Sequence, residues 1–275
     1  EGALRDADTR ALEVLRNRVD KLGISEPVIT AGKDHRITIQ LPGADEKQRA
    51  DAEAMIRSAA FLQFRLVHKN NLELVRKLFT AGGKAPEGFI VSPDGDNCYE
   101  AISEARLAEL QKDPNYLRRR GMFEVPDPSY EFMLEKVQVK GGGKARRTVY
   151  QPYFVRRKAE ITGEMLARAH DEMDPMSGSH QVGLTLKRVG GERMAYLFNE
   201  YADRHLAIVL DNTLYSAPVL NQKHEHIAGA MSGCTISGTF TIEEARRLRD
   251  VLNCGALPAP VNIIQRSVVG STLGQ

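Results

Sequence analysis

The sequence has no tryptophan, only 6% aromatic residues and three cysteines among 275 positions. It has no run approaching the ~18 apolar residues of a spanning helix. The longest candidate, Leu206 to Leu210, is strand-sized. No charge sign dominates: 38 Lys and Arg stand against 36 Asp and Glu, a formal net charge of +2. That balance gives no general attraction to nucleic acid or to an anionic membrane. The basic runs Arg118-Arg119-Arg120 and Arg156-Arg157-Lys158 have no aromatic stacking platform and read as solvated faces. Cys98, Cys234 and Cys254 form no C-x-x-C pair, which argues against a zinc ribbon or a thioredoxin-like site. The odd count leaves at least one thiol unbridged, and a Cys234–Cys254 disulfide stays open for an oxidising compartment. The chain begins at Glu1, with no basic start and apolar stretch behind it, and we read it as a fragment of a longer protein.

Catalytic patterns are also missing. Lys140 to Lys144 superficially matches a phosphate loop, but Gln138 stands where its first glycine belongs and Ala145 where Ser or Thr should bind magnesium. His224-Glu225-His226 offers two ligands on alternate strand positions and no third. Asp94 to Asn97 lacks the order and distal Glu of a calcium loop. There is no G-x-S-x-G elbow. The residues therefore point to no enzyme, cofactor or metal.

What is present is an ordinary globular composition, 42% hydrophobic and 27% charged, in a chain long enough for two compact units. Leu12, Leu15, Val19 and Leu22 recur at helical spacing, and Gly23 suits the helix end. A short strand at Val28 and Ile29 and alternation at Ile37, Ile39 and Leu41 follow. Asp45 and Gln48 resemble a capping box for a helix from about 46 to 59, and Leu62, Phe64 and Leu66 alternate as a strand. This order predicts an α+β plait.

Residues 69–150 are rich in Pro and Gly and read as an insertion or connector. Within it we expect short helices near 72–79 and 103–110, strands near 132–139 and 148–155, and a hairpin tip at Gly141 to Gly143. A helix is predicted from Thr162–Glu164 to about Glu172, then a strand through Val182, Leu184 and Leu186 and a helix over 192–201. Leu206 to Leu210 reads as a strand buried on both faces, turning at Asp211-Asn212 into Leu214 to Val219. After a strand at 235–240, Thr241 and Glu244 form a capping box for a helix whose apolar face is Ala245, Leu248 and Leu252. Leu257-Pro258-Ala259-Pro260 is stiff and extended, and a last strand is expected over 261–264.

Two stretches resemble the SecD family of protein-export subunits. One runs from Ala11 to His68 and carries RNRVDKLGISEP, RITIQLPG and LQFRLV. The other carries LAIVLDNTLYSAPVL from Leu206 and ISGTFTIEEARRLRDVLNCGALPAPV from Ile236 to Val261. Together they cover a little over half of the chain. The resemblance implies two plait-type subdomains: a base (1–68, closed by a return strand in 258–275) and a head (151–257), with 69–150 between them. It implies a non-enzymatic, extracytoplasmic domain of a membrane-embedded parent at the cell inner (cytoplasmic) membrane. The parent would assist proton-motive-force-dependent export with SecF and the Sec channel, binding emerging unfolded polypeptide. Leu206, Ile208, Tyr215, Val219 and Phe240 are the candidate polypeptide-binding residues, and Leu257, Pro258, Ala259 and Pro260 the candidate hinge. A docking scaffold for another subunit, or a metal-dependent hydrolase, are the alternatives. The sequence departs from the family pattern at Asn212, where a turn glycine is common, and at Asn253-Cys254, where Arg-Ala is usual. The chain also starts only a few residues ahead of its first helix, where the family carries an apolar strand.

Overall fold

The computed structural model describes residues 2–24, 26–32, 35–80, 84–93, 95, 97–113, 115–116, 125–140, 146–174, 178–220, 233–258 and 261–267. Helices and antiparallel sheets are mixed throughout, an α+β architecture. Contacts divide the chain into two units, residues 1–60 with 254–275, and residues 61–253.

The first unit holds α1 (Gly2–Asp20), β1 (Val28–Ala31), β2 (Ile37–Gln40) and α2 (Glu46–Arg57). The helical repeat buries Leu15 and Val19, and Gly23 follows α1 at φ +67°, a conformation that suits glycine. β1 and β2 pair antiparallel from Val28 with Gln40 to Ala31 with Ile37. Asp45 caps α2 as its spacing with Gln48 predicts: its Oδ1 accepts from the Gln48 amide at 2.7 Å, and the Gln48 side chain accepts from the Asp45 amide at 3.0 Å. Arg18 is completely buried, and its guanidinium is the tie of this unit. It donates to the carbonyls of Met55 (2.6 Å), Ser58 and Gly255 (2.9 Å). Two of these belong to the end of α2, where a cation complements the helix dipole. The Leu257 amide donates to the Ala59 carbonyl at 2.9 Å, and Leu257 packs with Ala11 and Leu15. The strand expected over 261–264 is not formed. Residues 261–267 carry no regular pairing, and Val261 contributes to this core by packing alone.

The second unit is built on a seven-stranded sheet in the order β11-β10-β3-β7-β5-β4, with β6 also paired to β7. Its strands are β3 (Leu62–Val67), β4 (Phe89–Val91), β5 (Tyr99–Ala101), β6 (Tyr130–Lys140), β7 (Arg146–Thr162), β10 (Leu206–Leu210) and β11 (Thr213–Ser216). The Leu62–Val67 strand, grouped with the base from the sequence, lies between β10 and β7 of this sheet. The stretch 69–150, expected as an insertion, is part of the same sheet through β4, β5, β6 and the start of β7. It also carries α3 (Asn71–Thr80) and α4 (Glu104–Leu110). Its aromatic and aliphatic residues, among them Phe89, Tyr99, Leu107, Phe132 and Tyr150, form a separate core, which Phe154 of β7 joins. The Gly141 to Gly143 tip lies outside the described residues, between ladder ends at Lys140 and Arg146.

A three-stranded sheet, β12-β9-β8, comprises β8 (Leu166–Met173), β9 (His180–Leu186) and β12 (Gly233–Phe240). The helix expected over 162–172 is therefore corrected: a single 3-10 turn at Gly163–Met165 leads into strand β8. Helix-forming residues fill this segment, but pairing with β9 from Leu166 to Met173 overrides propensity. α5 (Arg188–Glu200) and α6 (Ile242–Cys254) pack against the sheets. β10 explains its own apolar run by period-two alternation. Leu206, Ile208 and Leu210 enter the core with Phe64, Val182 and Leu248, while Ala207 and Val209 enter another with Met133 and Tyr153. The β10–β11 turn places Asp211 at φ +47° and Asn212 at φ +62°, the left-handed pair of a tight hairpin.

Candidate functional site

The sequence-predicted contact residues separate into two groups. Leu206 and Ile208 are 3% and 1% exposed and face the core, so a surface role for them gives way to holding β10 in the sheet. Tyr215 and Phe240 come together: their rings stack with centroids 5.7 Å apart and planes 20° from parallel, joining β11 to β12. Burial, then the charges of Asp211 and Glu244, push the Tyr215 hydroxyl above its ordinary range, so it stays protonated and neutral. Val219 is exposed and bridges to His205 rather than joining that stack.

Phe240 leads to residues that sequence reasoning missed. Across the small sheet it pairs with His180, and His180 pairs with Met173. Met173 is 57% exposed, and Ile242, two residues beyond Phe240, is 42% exposed. Both line a shallow depression of about 240 Å³ with His180, Ala245 and Arg246. Its rim is charged: Arg249 donates to Asp171 at 2.6 Å, and Arg246 lies 3.9 Å from the same carboxylate. The capping box sets the position of Ile242. The Thr241 amide donates to Glu244 Oε2 at 2.8 Å, and the Glu244 amide donates to Thr241 Oγ1 at 3.2 Å. β8 is the outer strand of this sheet, and Asn253 of α6 covers its edge at one point. The Asn253 Oδ1 accepts from the Ala169 amide at 2.7 Å, and its Nδ2 donates to the Ala169 carbonyl at 2.9 Å. Met173 could have been found in the sequence had residues 166–173 been read as a strand.

A second cavity, of about 400 Å³, is lined by His68 and Lys69 after β3, Asn71 at the start of α3, Tyr153 of β7, and Arg204 and His205 ahead of β10, among others. Arg204 donates to the Val67 carbonyl and lies over the Tyr201 ring at 5.1 Å. Burial first, then the positive charge of Arg204, holds the His68 imidazole below its ordinary range.

Leu257 of the candidate hinge is buried in the first unit's core and Pro258 is exposed; Ala259 and Pro260 lie outside the described residues. So do His224, His226 and Arg118 to Arg120. The three cysteines are thiols, with no disulfide between Cys234 and Cys254, and burial pushes the Cys234 thiol up to about 12. Among the described residues no group of three His, Cys, Asp or Glu could hold a metal, and no helix is long and apolar enough to cross a membrane.

Fold and surface together define a two-unit α+β module with an exposed apolar strip at one end of its smaller sheet. Residues 139–259 match the family described as "SecDF, P1 head subdomain", and residues 9–69 match "Protein translocase subunit SecDF, P1 domain, N-terminal". The chain belongs to the SecD/SecDF P1 family. It is 31% identical to the protein translocase subunit SecD of Rhodothermus marinus, over 98% of this chain and 48% of that protein. It is 33% identical to SecD of Desulfurispirillum indicum, over 97% of this chain and 41% of that protein. The chain thus spans about half the length, or less, of these curated relatives. A solved SecDF structure, titled as a membrane component that enhances protein export, superposes with a TM-score of 0.59 at 23% identity, covering 96% of this chain and 94% of that one. SecDF in its super-membrane-facing form gives the same TM-score at 24% identity, covering 94% of this chain and 28% of that one. These two likenesses carry the fold.

Proposed function

We propose that this chain is the extracytoplasmic P1 region of a Sec translocase accessory subunit, and that its second unit transiently binds emerging unfolded polypeptide along the Met173–Phe240–Ile242 strip. In this reading the parent protein sits in the cytoplasmic membrane and assists proton-motive-force-dependent export with SecF and the Sec channel. The first unit acts as the base and the second carries the head, while Leu257 of the candidate hinge is locked into the first unit's core and holds that unit together rather than pivoting. The observation that carries the polypeptide-binding reading is the pair of exposed apolar side chains, Met173 and Ile242, beside a half-buried aromatic stack at a sheet edge. A flexible thioether adapts to varied side chains, and edge pairing through the main chain tolerates any sequence.

The test is photo-crosslinking from Met173, Phe240 and Ile242 in the full-length parent, with an export intermediate arrested in the channel. Adducts to the arrested chain support the reading. Adducts only to a fixed subunit favour a docking scaffold instead, and labels that trap nothing at all three positions remove the strip from the mechanism.

A further inference from the structure

Resting on the polypeptide-binding reading above, we propose a register for it: the bound chain joins β8 as a fourth, antiparallel strand, paired to Asp171 and Met173, and Asn253 marks where that pairing stops. β8 has a strand on one side only, β9. In an antiparallel ladder, residues whose amide and carbonyl turn toward the partner alternate with residues whose groups turn away. The Asp174 amide donates to the Ser179 carbonyl at 3.0 Å, and the pairs Glu172 with Gln181 and His170 with Gly183 stand in the same phase. Ala169, Asp171 and Met173 are therefore the residues whose main-chain groups turn outward. Ala169 fits this phase, since both of its groups meet Asn253. Further along, the outward groups of Asp171 and Met173 have no partner among the described residues, and both residues are exposed.

Asn253 argues for the kind of partner. Its carboxamide accepts from the Ala169 amide and donates to the Ala169 carbonyl, the same two bonds that a residue of a neighbouring strand would exchange. It is a side-chain substitute for a fourth strand at one position, and the next two outward positions are open. A chain residue paired directly to Met173 would carry its side chain on the same face as Met173. That face already holds a row across the sheet, Phe240 with His180 and His180 with Met173. Ile242 and Ala245 line the depression beside it. The added residue lengthens the row by one, so an apolar side chain suits it. Its neighbour in the chain points to the opposite face, beside Glu172, and is free to be polar. The occupant is thus an extended segment with apolar residues at alternate positions, recognised first through its main chain.

The probe is acetyl-Thr-Leu-Thr-Leu-Thr-amide, titrated into this chain while backbone amide resonances are followed by NMR. Saturable shifts of the Asp171 and Met173 amides are expected, with the Ala169 amide unmoved. Methylating both leucine nitrogens keeps the apolar side chains but removes the hydrogens that face β8, and should weaken binding about tenfold or more. Methylating the central threonine nitrogen, whose hydrogen faces away, should change affinity by less than about threefold. Asn253→Ala uncovers Ala169, whose amide then joins the response, and affinity rises about fivefold, one further net hydrogen bond. The comparison of peptides on the unaltered chain stands whether or not that variant folds. Equal binding of the leucine-methylated peptide, or loss on methylating threonine instead, overturns this strand register and leaves the apolar strip as the binding surface. No saturable change at Asp171, Met173 or Ile242 with any peptide overturns both readings. An Ala169 response in the unaltered chain, or none in an Asn253→Ala chain that binds the peptide, removes Asn253 as the stop.

Discussion

Arg18 shows how much one residue can hold. Its guanidinium satisfies carbonyls from three places in the first unit, inside a fully buried setting. Arg18→Met removes the charge but leaves those carbonyls buried, and we expect a loss of about 3 kcal/mol or more, read from urea unfolding. Lys restores little, because one ammonium on a flexible stem does not reproduce a planar fork. Asn253 makes a similar case on a smaller scale. Asn253→Ala removes both bonds to Ala169, at an expected cost of ~1–3 kcal/mol, and raises hydrogen exchange at the Ala169 amide. Asn253 suits this place because an amide side chain can both accept from and donate to a strand edge. By contrast, Met173→Ser with Ile242→Ser should leave stability within ~0.5 kcal/mol, because both side chains are exposed, while weakening crosslinks from a label at Phe240 to the exported chain.

Among the elements, those with local signals were legible in the sequence. Thr241 and Glu244, Asp45 and Gln48, and the Asp211-Asn212 turn all announce themselves within four residues, because capping and turning are short-range chemistry. Thr241→Ala is expected to cost about 1 kcal/mol, seen as a lower urea midpoint at unchanged slope. β10 was legible for a different reason: five consecutive apolar residues need a core on each side, and both cores exist. β8 was not legible. Only Ala169 of its eight residues is buried, so the strand shows no alternation, and its Leu, Ala, Arg and Glu content favours a helix. That misreading hid Met173, which lies on the strand's last position. The partners of β3 were equally hidden, since alternation at Leu62, Phe64 and Leu66 declares a buried face but not which strands lie beside it. The cavity beside His68 draws on residues separated by more than a hundred positions, and no local pattern announces it.

For the whole molecule, the division into one continuous and one discontinuous unit makes a prediction of its own. Residues 61–253 form an unbroken segment with its own cores, and they should fold alone with a cooperative thermal transition. Residues 1–60 should not, because Arg18 and Ala59 need Gly255 and Leu257 as partners. Circular dichroism on the two fragments separates these outcomes. The bond from the Leu257 amide to the Ala59 carbonyl then has a further consequence. The outgoing and incoming segments of the first unit are side by side, so a few glycines spliced between residues 60 and 254 would close that unit on itself as a self-sufficient miniature. The same arrangement makes it a socket: any foreign domain whose two ends emerge as neighbours could be plugged in there without disturbing the frame that receives it.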